Sequence, residues 1–166
     1  MAFDISAWTD YAVAVVGGAA ALTGLLFVAV SVNSAWFSSS EVQRGRAGQA
    51  LVLFIVPLVT SILILVPGQS TTVLGIEIVV FGVLVGRVLI ALRTETEENE
   101  SRAMVLIDRL SPRFLTTAGL IIGGTSLIVG HFGGLYWLAA VHVSALLAGL
   151  LNAWIFLMAA GAASRP

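Results

Sequence analysis

The stretch Thr72–Leu92 reads TVLGIEIVVFGVLVGRVLIAL, and its reading decides the fold. A helix of about 20 apolar residues spans the hydrocarbon core of a bilayer. This stretch is long enough, yet it carries Glu77 near one end and Arg87 near the other. Ionisable side chains inside a membrane are costly and find partners there. Where Glu77 and Arg87 go is therefore the main question that the sequence poses.

Working outward, four more apolar stretches flank this one. The pattern predicts spans at about 8–32, 48–66, 72–92, 112–130 and 135–160. The chain has 166 residues, 58% hydrophobic and 10% charged, with a mean hydropathy of +1.03. A soluble domain is about 45–50% apolar and roughly 25% charged. The expected fold is therefore an all-α membrane protein, a single bundle of five transmembrane helices over 1–166. Net charge is −1, which implies no basic surface for nucleic acid. Cysteine is absent, so disulfides, thiolate nucleophiles and Cys-ligated metals are excluded. The start, MAFDISAWTD, lacks the basic region of a cleaved signal peptide, and the N-terminus is expected to be retained.

The first span carries Ala14, Gly17, Gly18, Ala21 and Gly24 at helical spacing. Small residues let a second helix approach closely, and packing inside the chain is the expected use of this face. Trp8 and Tyr11 mark one interface, Trp36 and Phe37 the other. Ser38 with Glu41 fits a capping box, predicting a helix from near Ser39 that carries Arg44 and Arg46 at the membrane surface. Pro57 falls in the middle of the second span and is expected to bend it. Pro67-Gly68 suits a type II turn, making spans two and three a helical hairpin. Gly82 and Gly86 form a close-packing motif in span three, and Gly123 and Gly149 are candidates for the same role in spans four and five.

Residues 93–111 are a polar, acidic loop. Within it Ser101–Leu110 reads as a short amphipathic helix on the membrane surface. Arg102, Arg109 and Arg113 are candidates for lipid headgroups. Span four, after the Ser111-Pro112 start signal, is short and rich in Gly, Thr and Ser, with a re-entrant segment as the alternative.

All eight basic residues are arginine. With five spans, every loop arginine falls on one side, so the positive-inside rule gives an outer N-terminus and an inner C-terminus. In that topology spans three and five run the same way. Glu77 and His142 then lie at similar depth, as do Arg87 and Asn152, and both pairs share one sequence offset. The polar pattern predicts Glu77 beside His142 and Arg87 beside Asn152, either fixing the bundle or forming a proton-linked route with Thr23, Thr60 and Ser61. Enzyme chemistry is not indicated. Ser144 faces away from His142, no G-x-S-x-G or H-E-x-x-H is present, and the separation of His131 from His142 argues against a shared metal or haem. No cofactor is expected.

The stretches AWTDYAVAVVGGAAALTGLLFVAVSVN, LVPGQS with LGIE after it, and GGLYW with LLNAW after it are similar to an uncharacterised family of short bacterial integral-membrane proteins. The resemblance covers all but the acidic loop. Some members are labelled modulators of the membrane-bound ATP-dependent protease. The resemblance implies no catalytic residues, and it implies that Glu77 is shared.

The expected function is a non-catalytic accessory or regulatory subunit of the bacterial inner membrane, partnered by the lipid bilayer, by copies of itself and by another membrane protein. The alternative is an oligomeric channel or proton-linked carrier built on Glu77, Arg87 and His142. The topology has a direct test. A reporter fused after Pro166 is expected to be cytoplasmic and a tag before Met1 external; finding both on one side would rule out five spans.

Overall fold

The computed structural model describes residues 2–34, 41–92 and 112–163. Among these residues the chain forms five α-helices. They are α1 (Thr9–Val32), α2 (Glu41–Ile64), α3 (Thr71–Ala91), α4 (Pro112–Val129) and α5 (Leu135–Ala163), with a one-turn 3-10 helix, Ile5–Trp8, before α1. Helices α1, α2, α3 and α5 are long and apolar enough to cross a membrane. The apolar part of α4, Phe114–Val129, is shorter. Inside a bilayer the backbone must satisfy its own polar groups, and the helix does this within one segment.

Local chemistry explains the boundaries. The Asp4 carboxylate accepts from the Ser6 backbone N–H and opens the 3-10 turn; the Ser6 hydroxyl holds that carboxyl below its ordinary pKa. Gly68 takes φ +70°, the conformation the predicted Pro67-Gly68 turn requires of its third residue. Ser70 then caps α3 by accepting from the Val73 N–H. The second turn is tied by one buried side chain. The Ser126 hydroxyl donates to the His131 carbonyl and accepts from the Gly134 N–H. Four residues of this turn, Gly130, Phe132, Gly133 and Gly134, have positive φ.

Neighbouring helices run in alternate directions. Helices α3 and α4 pack along their whole shared length, and α2 packs on both α1 and α5. Helix α4 joins the two groups through α5. The N-terminal segment closes one end, where the Leu135 N–H donates to the Ala2 carbonyl at 2.9 Å. At the other end the buried Gln49 amide donates to the Leu92 carbonyl at 3.1 Å, satisfying a backbone acceptor at the end of α3.

The tightest packing uses glycine. A Cβ at Gly75 would stand 2.6 Å from the Gly124 carbonyl oxygen, and one at Gly124 would stand 2.7 Å from the Gly75 carbonyl oxygen. Gly82 and Gly86 continue this contact against Leu120 and Thr117. Gly119 receives Val141, Gly123 receives Trp137 and Leu138, and Gly149 receives the Phe54 ring. The expected contacts at Gly82, Gly86, Gly123 and Gly149 are thus made within the chain. Those at Gly17 and Gly24 are not. Both glycines are exposed and a Cβ at either meets nothing within 4 Å. The reason is rotational: α1 turns Ala12, Ala19 and Leu26 toward the bundle, so the small-residue row looks outward.

Several expectations fall outside the described residues. These are the Ser38 cap, Trp36 and Phe37, the acidic loop, the surface helix with Arg102 and Arg109, and the side chain of Arg113.

Gly75→Ala is expected to lower stability by about 1–3 kcal/mol, because the new methyl meets backbone that cannot step aside. Gly17→Ala has open space and is expected to gain roughly 0.5–1 kcal/mol from helix propensity. Reversible unfolding in mixed micelles measures both; equal effects would show that the α3–α4 contact is not tight.

Candidate functional site

His142 is the most buried ionisable side chain described, with no accessible surface. It sits on the face of α5 that meets α2 and α1. Its Nε2 lies 2.7 Å from Thr60 Oγ1, and its Nδ1 lies 3.2 Å from the Tyr11 hydroxyl. The Tyr11 and His142 rings are stacked, 5.8 Å between centroids and 5° between planes. Trp8 packs edge-on against both Tyr11 and Tyr136 and closes the cluster toward the end of the bundle.

The protons in this cluster can be assigned. Thr60 Oγ1 is also 2.7 Å from the Val56 carbonyl oxygen. A carbonyl only accepts, and a hydroxyl has one proton to give. Both short contacts hold a proton only if Thr60 donates to Val56 and the imidazole Nε2–H donates to Thr60. In the neutral imidazole Nδ1 is then unprotonated and accepts from the Tyr11 hydroxyl. The result is a one-way chain, Tyr11 to His142 to Thr60 to the Val56 carbonyl, with a neutral imidazole and every member satisfied. The chain ends on a group that cannot pass a proton on.

Glu77 lies elsewhere. Its carboxylate accepts from the Gln69 side-chain amide in the turn between α2 and α3. Both ring nitrogens of His142 are already taken, so the expected Glu77–His142 pair is not formed within the chain. The physical reason is helix order. The expected register needed α3 and α5 side by side, whereas α4 lies along α3 through the glycine contacts. Arg87 is exposed on α3 and Asn152 is half-buried on α5, and α4 rather than α5 packs along α3. Thr60, mentioned in the sequence only as an unspecific hydroxyl, proves to be the partner of His142. Tyr11, assigned to the membrane interface, reaches inward to it. The sequence offered Thr60 only as one of several hydroxyls beside Thr23 and Ser61, and nothing in it singled out Thr60 as the direct partner.

Two buried hydroxyls, Ser61 Oγ and Thr116 Oγ1, have no hydrogen-bond partner among the described residues. A cleft of about 490 Å³ opens at the N-terminal end. Phe3, Asp4, Ser6 and Thr9 line one side, Gln69 and Thr71 the other. Among the described residues no three histidine or acidic side chains converge as metal ligands do. No protein-family model, curated protein or solved structure matches this chain.

Thr60→Val leaves the imidazole N–H buried and unpaired, and is expected to cost about 1–3 kcal/mol. In a double-mutant cycle with His142→Phe, the coupling is expected near 0.6 kcal/mol and below about 1.7 kcal/mol. Zero coupling in micelle unfolding would show that this hydrogen bond is not made.

Proposed function

We propose that the chain is a non-catalytic accessory or regulatory subunit of the bacterial cytoplasmic membrane that self-associates through α1. The observation that carries the reading is the outward row of Ala14, Gly17, Gly18, Ala21 and Gly24. All five are exposed except where the helix itself covers them, and the three glycines meet nothing within 4 Å. Elsewhere in the bundle the helical glycines that touch another helix are tightly filled. Of the long helices α1 is the least covered, 17% of its apolar segment against 50% for α2. Helix association in lipid relies on close backbone approach, since tails are as apolar as leucine. A flat, unfilled row on the least covered helix suits a second helix, from another copy or from a different membrane protein.

The proposed topology has five spans, the N-terminus outside and the C-terminus inside, with a surface helix in the acidic loop. Helix α4 has 18 residues, about 27 Å at 1.5 Å per residue, close to the roughly 30 Å hydrocarbon core. It meets α3 from Gly75 to Gly86, which favours a full crossing over a re-entrant segment. The carrier reading gains no such support. Glu77 and His142 belong to separate networks, and the His142 chain ends on a carbonyl.

The absence of cysteine makes the test clean. Single Gly17→Cys and Gly24→Cys variants are expected to form disulfide dimers on oxidation in native membranes, or a mixed disulfide with a partner. Gly123→Cys, closed inside the bundle, is expected to form neither. Monomers only from all three variants would remove α1 as an association face.

A further inference from the structure

Helix α3 carries its arginine on the side turned away from the bundle. Val85 and Leu89 are buried, and Arg87, two positions from each, stands on the opposite side of the helix and is exposed. Among the described residues its guanidinium has no partner. The side chains around it, Val83, Leu84, Val88 and Ile90, are aliphatic and exposed. We propose that the Arg87 guanidinium binds the phosphate of an inner-leaflet phospholipid and draws that leaflet inward along α3 and α4, giving the bundle a thin side there and a thick side at α1. The proposal rests on the reading that α3 crosses a bilayer with Arg87 toward its inner end, and it does not depend on association through α1.

Depth and charge support that occupant. Arg87 lies 16 residues after Thr71, the start of α3, a rise of about 24 Å. With Thr71 at one face of a roughly 30 Å hydrocarbon core, Arg87 lies about 6 Å short of the other. A bilayer meets such a cation by thinning locally and by letting the side chain reach toward headgroups. Helix α4 favours thinning. It packs along α3, with Thr117 against Gly86, and its apolar part, Phe114–Val129, also rises about 24 Å. Two neighbouring helices thus share one short apolar height. Helix α1 differs: its 24 residues rise about 36 Å, with no charged side chain after Asp10. A short apolar stretch is met by thinning of the bilayer and a long one by tilt. Charge selects the ligand. A guanidinium pairs with phosphate in two parallel hydrogen bonds. A parallel second copy offers no carboxylate at this depth, since the acidic residues within α1 and α3, Asp10 and Glu77, stand toward the outer end. The negative end of the α3 dipole opposes an anion, but its Leu92 carbonyl is already taken by the Gln49 amide. The aliphatic side chains around Arg87 give the acyl chains their contact.

The test reconstitutes the full chain in vesicles of dimyristoleoyl, dioleoyl or dierucoyl phosphatidylcholine, in order of thickness, and follows its unfolding temperature. Relative to the wild-type chain, Arg87→Leu is expected to unfold lower in the thin dimyristoleoyl bilayer and higher in the thick dierucoyl bilayer, each by about 2–4 °C. Exchanging dioleoyl phosphatidylcholine for dioleoyl diglucosyldiacylglycerol, which has no phosphate, is expected to lower the wild-type value more than that of Arg87→Leu. Arg87→Gln carries the same test if Arg87→Leu does not fold. Three results would each overturn the proposal: the same response to chain length in both chains, the same response to loss of phosphate, or a difference between them that grows with the protein-to-lipid ratio. The last would place a second copy on Arg87. A wild-type chain indifferent to bilayer thickness would overturn the membrane-spanning reading of α3 as well.

Discussion

The carbonyl of Gly75 faces the Cα of Gly124 and the carbonyl of Gly124 faces the Cα of Gly75. This backbone contact between α3 and α4 is the constraint on which the arrangement of polar groups depends. No side chain larger than hydrogen fits at either position, so the two helices lie closer than leucine-faced helices could. In lipid, where apolar side chains gain little by leaving their surroundings, such close approach is itself a main source of association. With α3 committed to α4, its polar residues cannot also face α5. Glu77 turns to the adjacent Gln69, and His142 turns to α1 and α2.

His142 consequently belongs to a different part of the molecule from the one its sequence position suggests. It ties three helices that have no glycine contact of the Gly75–Gly124 kind at that level. A single imidazole bridges α5 to α2 through Thr60 and to α1 through Tyr11. Because the Val56 carbonyl fixes the direction of donation, one tautomer satisfies the whole set. A buried network with every member paired specifies geometry, whereas a partly paired one destabilises it. The network thus sets the rotation of α1, and that rotation turns the Gly17–Gly24 row outward. A polar contact inside the bundle and an unfilled face outside it are two sides of one helix.

The helices themselves were legible in the sequence, and so were the turns. Long apolar runs and Pro67-Gly68 act through the local backbone, and local rules are read residue by residue. The pairing of helices was not legible. A shared offset between Glu77–Arg87 and His142–Asn152 aligns two helices only if they are neighbours, and adjacency depends on contacts summed over the whole bundle. Glycine spacing was a partial guide. Gly82, Gly86, Gly123 and Gly149 were found, but Gly75, Gly119 and Gly124 were not, although Gly75 and Gly124 make the backbone-to-backbone contact. Gly17 and Gly24 show the converse, since spacing marks a flat face without saying which way it points.

The two ends of the bundle differ in what holds them together. At the N-terminal end, backbone and side-chain hydrogen bonds converge: Ala2 with Leu135, Ser126 with the His131–Gly134 turn, Gln69 with Glu77. At the opposite end fewer such ties are described, and the apolar walls of α1 and α2 part around a groove beside Arg44. At that end Leu26 and Val30 of α1 pack with Ala47, Ala50 and Leu51 of α2. Although little of its surface is buried in its own chain, α1 is oriented by the packing of Ala12, Ala19 and Leu26 together with the Tyr11–His142 contact.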